Sequence, residues 1–191
     1  IGPQVNTLLY KMFQHLPIES LTIPGTVTTI ENNVFEDCQQ LVYLVFEPSV
    51  DGSALTMGYD DSGNHEGPFI DSPLETVKLN REINYTFPAS SIDDDLEGLF
   101  GGKPTLRNVI LGEQVKTLSN NMFADACITE IFIPGSVNSI GCDVFHECYS
   151  LADVTFAASP TGEALAVGYD TDGEDENLFQ DSSLTTLRLN R

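Results

Sequence analysis

The stretch IPGSVNSIGCDVFHECYSL at residues 133–151 decides the fold, because its pattern returns along the chain. Its counterpart IPGTVTTIENNVFEDCQQL occupies residues 23–41, which lie 110 positions earlier. At this offset residues 1–81 align with residues 111–191 without a gap, and about 35 of the 81 pairs are identical. The chain therefore contains an internal duplication, and such repetition predicts a stacked architecture.

A shorter period lies inside the duplication. The pattern Leu-x-x-Leu-x-Leu, with Ile, Val or Phe allowed, occurs seven times at spacings of 22–23 or 32–33 residues. A phenylalanine precedes each unit by five or six residues: Phe13, Phe35, Phe69, Phe100, Phe123, Phe145 and Phe179. Alternating apolar residues predict β-strands. One unit cannot bury its own Leu and Phe side chains, so the pattern predicts a single solenoid domain of seven turns over residues 1–191.

The segments between these strands carry two further predictions. A second extended apolar signal is present in the shorter turns, at residues 27–30, 115–118 and 137–140. The longer turns contain insertions of about ten residues, and we expect residues 47–68, 82–99 and 157–178 to leave the solenoid as side loops.

Composition excludes several functions. The 191 residues include 8 Lys and Arg against 29 Asp and Glu, a formal charge of −21, so nucleic acid and anionic membranes are not expected partners. The longest apolar run, Leu41 to Phe46, is too short to cross a membrane. Neither end carries the polar cap that a solenoid needs, which predicts that these residues belong to a longer protein.

No catalytic chemistry is indicated, and we expect a protein that is not an enzyme and holds no cofactor. Sequence signatures of hydrolases, metalloproteases and nucleotide-binding loops are absent. His15, His65 and His146 have no histidine at the duplicated position, so they are interpreted as polar loop residues.

Alternating oxygen-bearing side chains form the strongest metal candidate. They are Asp170, Asp172, Glu174, Glu176 and Asp181, with Asp60, Ser62, Asn64, Glu66 and Asp71 in the first copy. Calcium prefers such ligands, but the glycine stands at position four instead of six and no flanking helices are predicted. We therefore expect solvated acidic loops, no metal site, and a melting temperature that calcium leaves unchanged.

The four cysteines are too few for a disulfide scaffold. Cys38 and Cys148 occupy the same repeat position, where a small buried thiol is expected. Bridges between Cys142 and Cys148, or between Cys127 and Cys148, remain alternatives.

The unit at residues 133–151 resembles the BspA-like leucine-rich repeats, which read as a Leu/Ile strand, Pro-x-Ser-Val-Thr-x-Ile-Gly, a Phe, a Cys and the next Leu. Residues 23–41 match similarly, with Glu31 where the family usually has Gly, while other turns carry Leu16, Ser72, Lys103, Ala126 or Ser182 at the Cys position. The resemblance implies a right-handed leucine-rich-repeat solenoid of the α/β horseshoe class, strand-dominated, with one parallel sheet on its concave face and little helix. It also implies a secreted or surface-anchored bacterial protein engaged in adhesion or protein binding.

Strand alternation selects the candidate binding residues. In Leu-x-x-Leu-x-Leu the last two Leu positions face the core, so the residue between them, and the one two earlier, face outward. We expect a partner-binding patch centred on Phe132, comprising Tyr43, Val45, Lys78, Ile110, Phe132 and Arg188. The partner would be a host or bacterial surface protein, with a host glycan as a second candidate. Two alternatives are a structural spacer, and a patch covered by a neighbouring domain or chain of the full protein.

Overall fold

The structure, a computed structural model, describes residues 1–58, 68–85, 98–168 and 178–191. This part of the chain contains fourteen short strands and no helix. The strands are β1 (Thr7–Leu8), β2 (Ser20–Ile23), β3 (Thr29–Ile30), β4 (Tyr43–Phe46), β5 (Leu55–Met57), β6 (Thr76–Leu79), β7 (Ile83–Tyr85), β8 (Asn108–Leu111), β9 (Thr117–Leu118), β10 (Glu130–Ile133), β11 (Ser139–Ile140), β12 (Asp153–Phe156), β13 (Ala166–Val167) and β14 (Thr186–Leu189).

The seven four-residue strands form one face of the solenoid, which we call the front face. All seven coincide with the Leu-x-x-Leu-x-Leu units, and their pairings are parallel and keep equivalent motif positions in register, as in Leu21 opposite Leu44 and Leu44 opposite Val77. The middle Leu position is buried in β4, β6 and β12, whereas the residues on either side of it are more exposed. The predicted strands and their inward register are therefore confirmed.

The front face is not one continuous sheet, which corrects the prediction of a single sheet. Hydrogen bonds join β2, β4, β6 and β8 in one sheet and β10, β12 and β14 in another. Within the described part of the chain, no backbone hydrogen bond links β8 to β10.

A second set of strands forms the opposite, back face. Its sheets are β1-β3-β5-β7 and β9-β11-β13, again all parallel. The three second signals in the sequence correspond to β3, β9 and β11, as predicted. The expectation that the insertions leave the solenoid entirely is wrong, because each supplies a back-face strand (β5, β7 or β13) that extends the parallel ladder. Residues 59–67, 86–97 and 169–177 lie outside the described residues.

A column of phenylalanine rings runs through the core between the faces. Successive rings from Phe13 to Phe179 stack with centroids 5.4–6.1 Å apart. The five central rings are buried, and the rings at the two ends are partly buried. Each turn thus contributes one ring to a shared core, which explains why the turns stack.

The repeat position occupied by cysteine in some turns has the same role in four of them. Its side chain donates a hydrogen bond to the backbone carbonyl of the phenylalanine in the preceding turn. The pairs are Cys38 to Phe13, Ser72 to Phe35, Lys103 to Phe69 and Cys148 to Phe123, at 3.1–3.4 Å. A thiol, a hydroxyl and an ammonium all serve, since each supplies a donor.

All four cysteines are free thiols in this structure, so neither alternative disulfide is present. Cys38 and Cys148 are buried, as predicted. Burial raises the pKa of the Cys148 thiol to about 12. These thiols are therefore core components.

Candidate functional site

Two local features coincide with the interruption of the front face between β8 and β10. In the paired strands, the residue after a strand donates its N–H to the last carbonyl of the preceding strand, as Gly112 does to Leu79 at 2.7 Å and Ala157 to Ile133 at 2.9 Å. The residue after β10 is Pro134, which has no N–H to offer Leu111. The turn from β8 to β10 also has 22 residues, one fewer than the other short turns.

The two halves remain joined at other points of the cross-section. The Phe100 and Phe123 rings stack at 5.9 Å, and Gly102 donates its N–H to the Ala124 carbonyl at 3.0 Å. On the back face, the Glu82 carboxylate accepts hydrogen bonds from the N–H groups of residues 116 and 117 at 2.6 and 3.1 Å. The back-face ladder is also divided, between β7 and β9, so the two halves are joined there by the Glu82 carboxylate and at the phenylalanine corner by main-chain hydrogen bonds and ring stacking.

A groove of about 520 Å³ lies over this interruption, and we call it the front groove. Its floor contains the core residues Val109 and Ile131, and Ile110 and Phe132 line it from the adjacent strands. One polar group of lining residues is Thr76, Asn108 and Glu130, and a second is Asp153, Thr155 and Arg188. The groove thus combines an apolar centre with polar margins.

The exposed apolar pair is the most distinctive feature of the groove. Phe132 is 55% exposed and Ile110 47% exposed, although both belong to β-strands whose neighbouring residues are core. Their outward orientation confirms the predicted strand register. The regular repeat predicts that Ile110 and Phe132 are neighbours on successive strands of one parallel sheet. The structure differs, because β8 and β10 are not hydrogen-bonded to each other.

The six predicted binding residues fall into two groups. Ile110, Phe132 and Arg188 line the front groove. The other three lie on the first sheet, where the Lys78 ammonium stands over the Tyr43 ring at 5.5 Å and Val45 is in register with Lys78. The two groups differ in whether they line the front groove and are not divided by the sheet interruption, since Ile110 on β8 belongs to the first sheet as well.

Ion pairing limits what the basic residues can offer a partner. The Arg188 guanidinium donates to the Asp153 carboxylate at 2.5 Å and also reaches the Thr155 hydroxyl at 3.5 Å. Arg188 thus compensates a neighbouring carboxylate.

Sequence reasoning overlooked several groove residues. Val109 and Ile131 were assigned to the core alone, yet they also form the groove floor. Asn108 and Glu130 were recognised as outward-facing but were not selected as binding residues. The missing N–H of Pro134 and the 22-residue spacing were the available signals, since both mark the interruption.

A cluster of titratable groups lies at the phenylalanine corner of the second half. One potential metal-ligating atom from each of His146, Glu147 and Asp181 lies within 4.8 Å of the other two. A hydrogen bond from the Tyr149 hydroxyl lowers the pKa of Glu147 and raises that of Tyr149. An acidic chain brings such partly exposed groups together readily, so we assign no metal site to them.

The remaining sequence candidates offer no further chemistry. His15 Nδ1 lies 3.2 Å from a carboxylate oxygen of Asp37 in an exposed pair. Asp71 has a left-handed backbone, which Asp tolerates in turns. The other candidate calcium ligands, apart from Asp181, lie outside the described residues, as does His65.

Comparison with known proteins places the chain in a family. The family model for the BspA type leucine rich repeat region matches residues 2–54 and 69–162 in six copies. The chain therefore belongs to the BspA-type leucine-rich-repeat family, as its sequence suggested. No curated protein matches it.

Two solved structures show similarity. A leucine rich cell surface protein from Faecalibacterium prausnitzii A2-165 is 25% identical with a TM-score of 0.36, and the alignment covers 73% of this chain and 39% of that one. A leucine-rich repeat protein from Bacteroides ovatus ATCC 8483 is 14% identical with a TM-score of 0.32, covering 96% of this chain and 64% of that one. The chain thus spans less than two thirds of either protein. Within its described part, no helix could cross a membrane.

Proposed function

We propose that this protein is a non-catalytic module of a bacterial cell surface that binds other proteins through its front face. The main support for this proposal is the exposed pair Phe132 and Ile110, which lines a groove with polar margins. Exposed apolar side chains of this size on regular strands are typical of recognition surfaces. Membership of the BspA-type family supports a protein-interaction role and a surface location in general terms.

The internal duplication supports the same proposal. Residues that pack the core stay apolar between the copies, as in Ile23 and Ile133 or Phe46 and Phe156. Outward residues change chemical class in four of the six equivalent pairs, Ser20/Glu130, Thr22/Phe132, Tyr43/Asp153 and Val45/Thr155, whereas Thr76/Thr186 and Lys78/Arg188 keep theirs. Because outward side chains contribute little to packing, their chemistry is available for recognition. A structural spacer would need only a polar face, which the Phe at residue 132 does not provide.

Covering Phe132 would contribute measurably to the affinity for a partner. Fully burying a Phe side chain contributes about 1.5–3 kcal/mol. Phe132 is 55% exposed, so a partner that covered it would gain about 0.8–1.7 kcal/mol, which corresponds to about 4-fold to 18-fold in affinity. One aromatic anchor of this kind commonly dominates a small interface.

The test replaces the aromatic anchor by a charge. Phe132→Asp should fold normally, because the side chain points outward, and should lose binding to a panel of host matrix proteins and bacterial surface proteins. Thr22→Asp is the matched control, since it adds the same charge at the equivalent position of the first copy, and it should keep binding. Unchanged binding by Phe132→Asp would favour the spacer alternative, and an unfolded variant would show that the residue supports the core.

A further inference from the structure

We propose that the front groove takes an extended polypeptide segment that carries a Lys or Arg two residues away from a large apolar side chain. This inference rests on the proposed function and adds the chemistry of the partner. It follows from the arrangement of polar and apolar side chains across the groove.

The groove is organised in two rows set by the strand register. The first residue of each strand contributes a polar row in which Asn108 and Glu130 flank the interruption. The third residue of each strand contributes the apolar pair Ile110 and Phe132. Because strand side chains alternate, both rows face the same side. The partner must therefore offer a polar group to one row and an apolar group to the other.

Charge decides the nature of the polar group. Glu130 lies in register beside Asp153, so two carboxylates stand on adjacent hydrogen-bonded strands. Arg188 compensates Asp153 at 2.5 Å, whereas Glu130 is exposed and has no ion pair within the described part of the chain. The net charge of −21 adds long-range attraction for a cation and repulsion for an acidic partner. A Lys or Arg is the complement of Glu130.

Spacing decides the form of the partner. Side chains two residues apart on a strand are separated by about 6.5–7 Å, which is the distance between the two rows. An extended ligand has the same spacing between residues i and i+2 on one of its faces. A segment lying along β10 can therefore place its cation over Glu130 and its apolar side chain against Phe132 and Ile110.

The apolar floor favours a peptide over a glycan. The Phe132 ring would also stack on a sugar, and the polar margins would bind sugar hydroxyls, but Val109 and Ile131 at the centre of the groove offer such hydroxyls no side-chain hydrogen-bond partner. A Leu, Ile or aromatic side chain, in contrast, makes favourable contacts with this floor.

The experiment selects a phage-displayed library of random peptides on the immobilised full chain, with parallel selections on Glu130→Gln, Phe132→Asp and the control Thr22→Asp. We expect wild-type protein and Thr22→Asp to enrich peptides with a basic residue two positions from a large apolar one. Synthetic copies of these peptides, measured by fluorescence anisotropy, should bind Phe132→Asp at least about tenfold more weakly. They should bind Glu130→Gln about threefold to tenfold more weakly, and added salt should weaken the Glu130→Gln complex less than the wild-type complex.

The outcomes separate this inference from the proposed function. Enriched peptides that require Phe132 but lack the basic residue, or bind Glu130→Gln as tightly as wild type, would overturn the inference and leave the proposed function standing. Peptides that bind Phe132→Asp unchanged would overturn both. If the library yields no enrichment while a glycan array shows binding that depends on Phe132, the peptide inference is wrong. No binding to either would also overturn it.

Discussion

Phe145→Ala tests whether the phenylalanine column holds the turns together. The Phe145 ring is fully buried and stacks between Phe123 at 6.0 Å and Phe179 at 5.7 Å. Truncating a buried Phe costs about 3–5 kcal/mol, through lost burial and the cavity left behind. The substitution also removes two ring-stacking contacts, each worth about 0.5–1.5 kcal/mol. We therefore expect the loss of stability to lie in the upper part of the range of about 3–5 kcal/mol. This is a third or more of the stability of a typical domain, about 5–15 kcal/mol.

Urea denaturation followed by circular dichroism measures the loss. Because a solenoid can unfold in parts, hydrogen exchange should accompany it, and the amides of the turns on both sides of Phe145 should lose protection first. Phe132→Ala is the matched control, since it removes the same ring from an exposed position and should change stability by less than about 0.5 kcal/mol. An unchanged urea midpoint for Phe145→Ala, or equal losses in the two variants, would refute the role of the column.

Three further predictions concern buried or perturbed groups. Arg81 is fully buried and donates hydrogen bonds to the carbonyls of Val27 at 2.7 Å and Ser53 at 3.2 Å. Arg81→Ala should therefore lower the free energy of unfolding, measured by urea denaturation, by about 3 kcal/mol. A neutral effect would show that burying the guanidinium costs as much as these hydrogen bonds contribute. The buried Cys148 thiol, with a pKa of about 12, should resist alkylation at pH 8 in the folded protein and react fully in urea, and rapid labelling of the native state would contradict its packing. Hydrogen bonds from Ser53 and then Ser49 lower the pKa of Asp51 to about 2, so its contribution to stability is complete above the usual value of 3.8 and is lost as pH falls toward 2. Thermal melts from pH 5 to pH 2 should therefore show a shallower acid-induced decline for Asp51→Asn than for wild type, and parallel curves would disprove the linkage.

Repetition in the sequence predicted most of the fold. The Leu-x-x-Leu-x-Leu units located all seven front-face strands, and alternation placed Phe132 and Ile110 outward. Both results depend on patterns within a few residues, since successive strand side chains point to opposite faces whatever the rest of the chain does. The phenylalanine column followed similarly, because one ring per turn at a constant position must stack when the turns stack.

The back-face strands were predicted less completely. β3, β9 and β11 have clear Val and Ile signals, whereas β5, β7 and β13 are two- or three-residue strands inside the long turns. β5 (LTM) and β7 (INY) do alternate apolar and polar residues, but three residues are too few to predict a strand, and the structure shows it through the pairing of β5 with β3 and β7. Tertiary pairing therefore decided what the local pattern left undetermined.

The sequence alone determined the repeat, the strand positions and the direction in which each strand side chain points, because these properties are local and periodic. Only the tertiary structure decided that the front face is interrupted, that Arg188 is already bound to Asp153, and that Arg81 is buried. Arg188 and Asp153 are 35 residues apart in the sequence, and Arg81 and Val27 are 54 apart. The interruption depends on whether the N–H and C=O groups of β8 and β10 align. Such alignments are set when the turns pack together, and the sequence of one turn does not specify them, although Pro134 and the 22-residue spacing mark the place of the interruption.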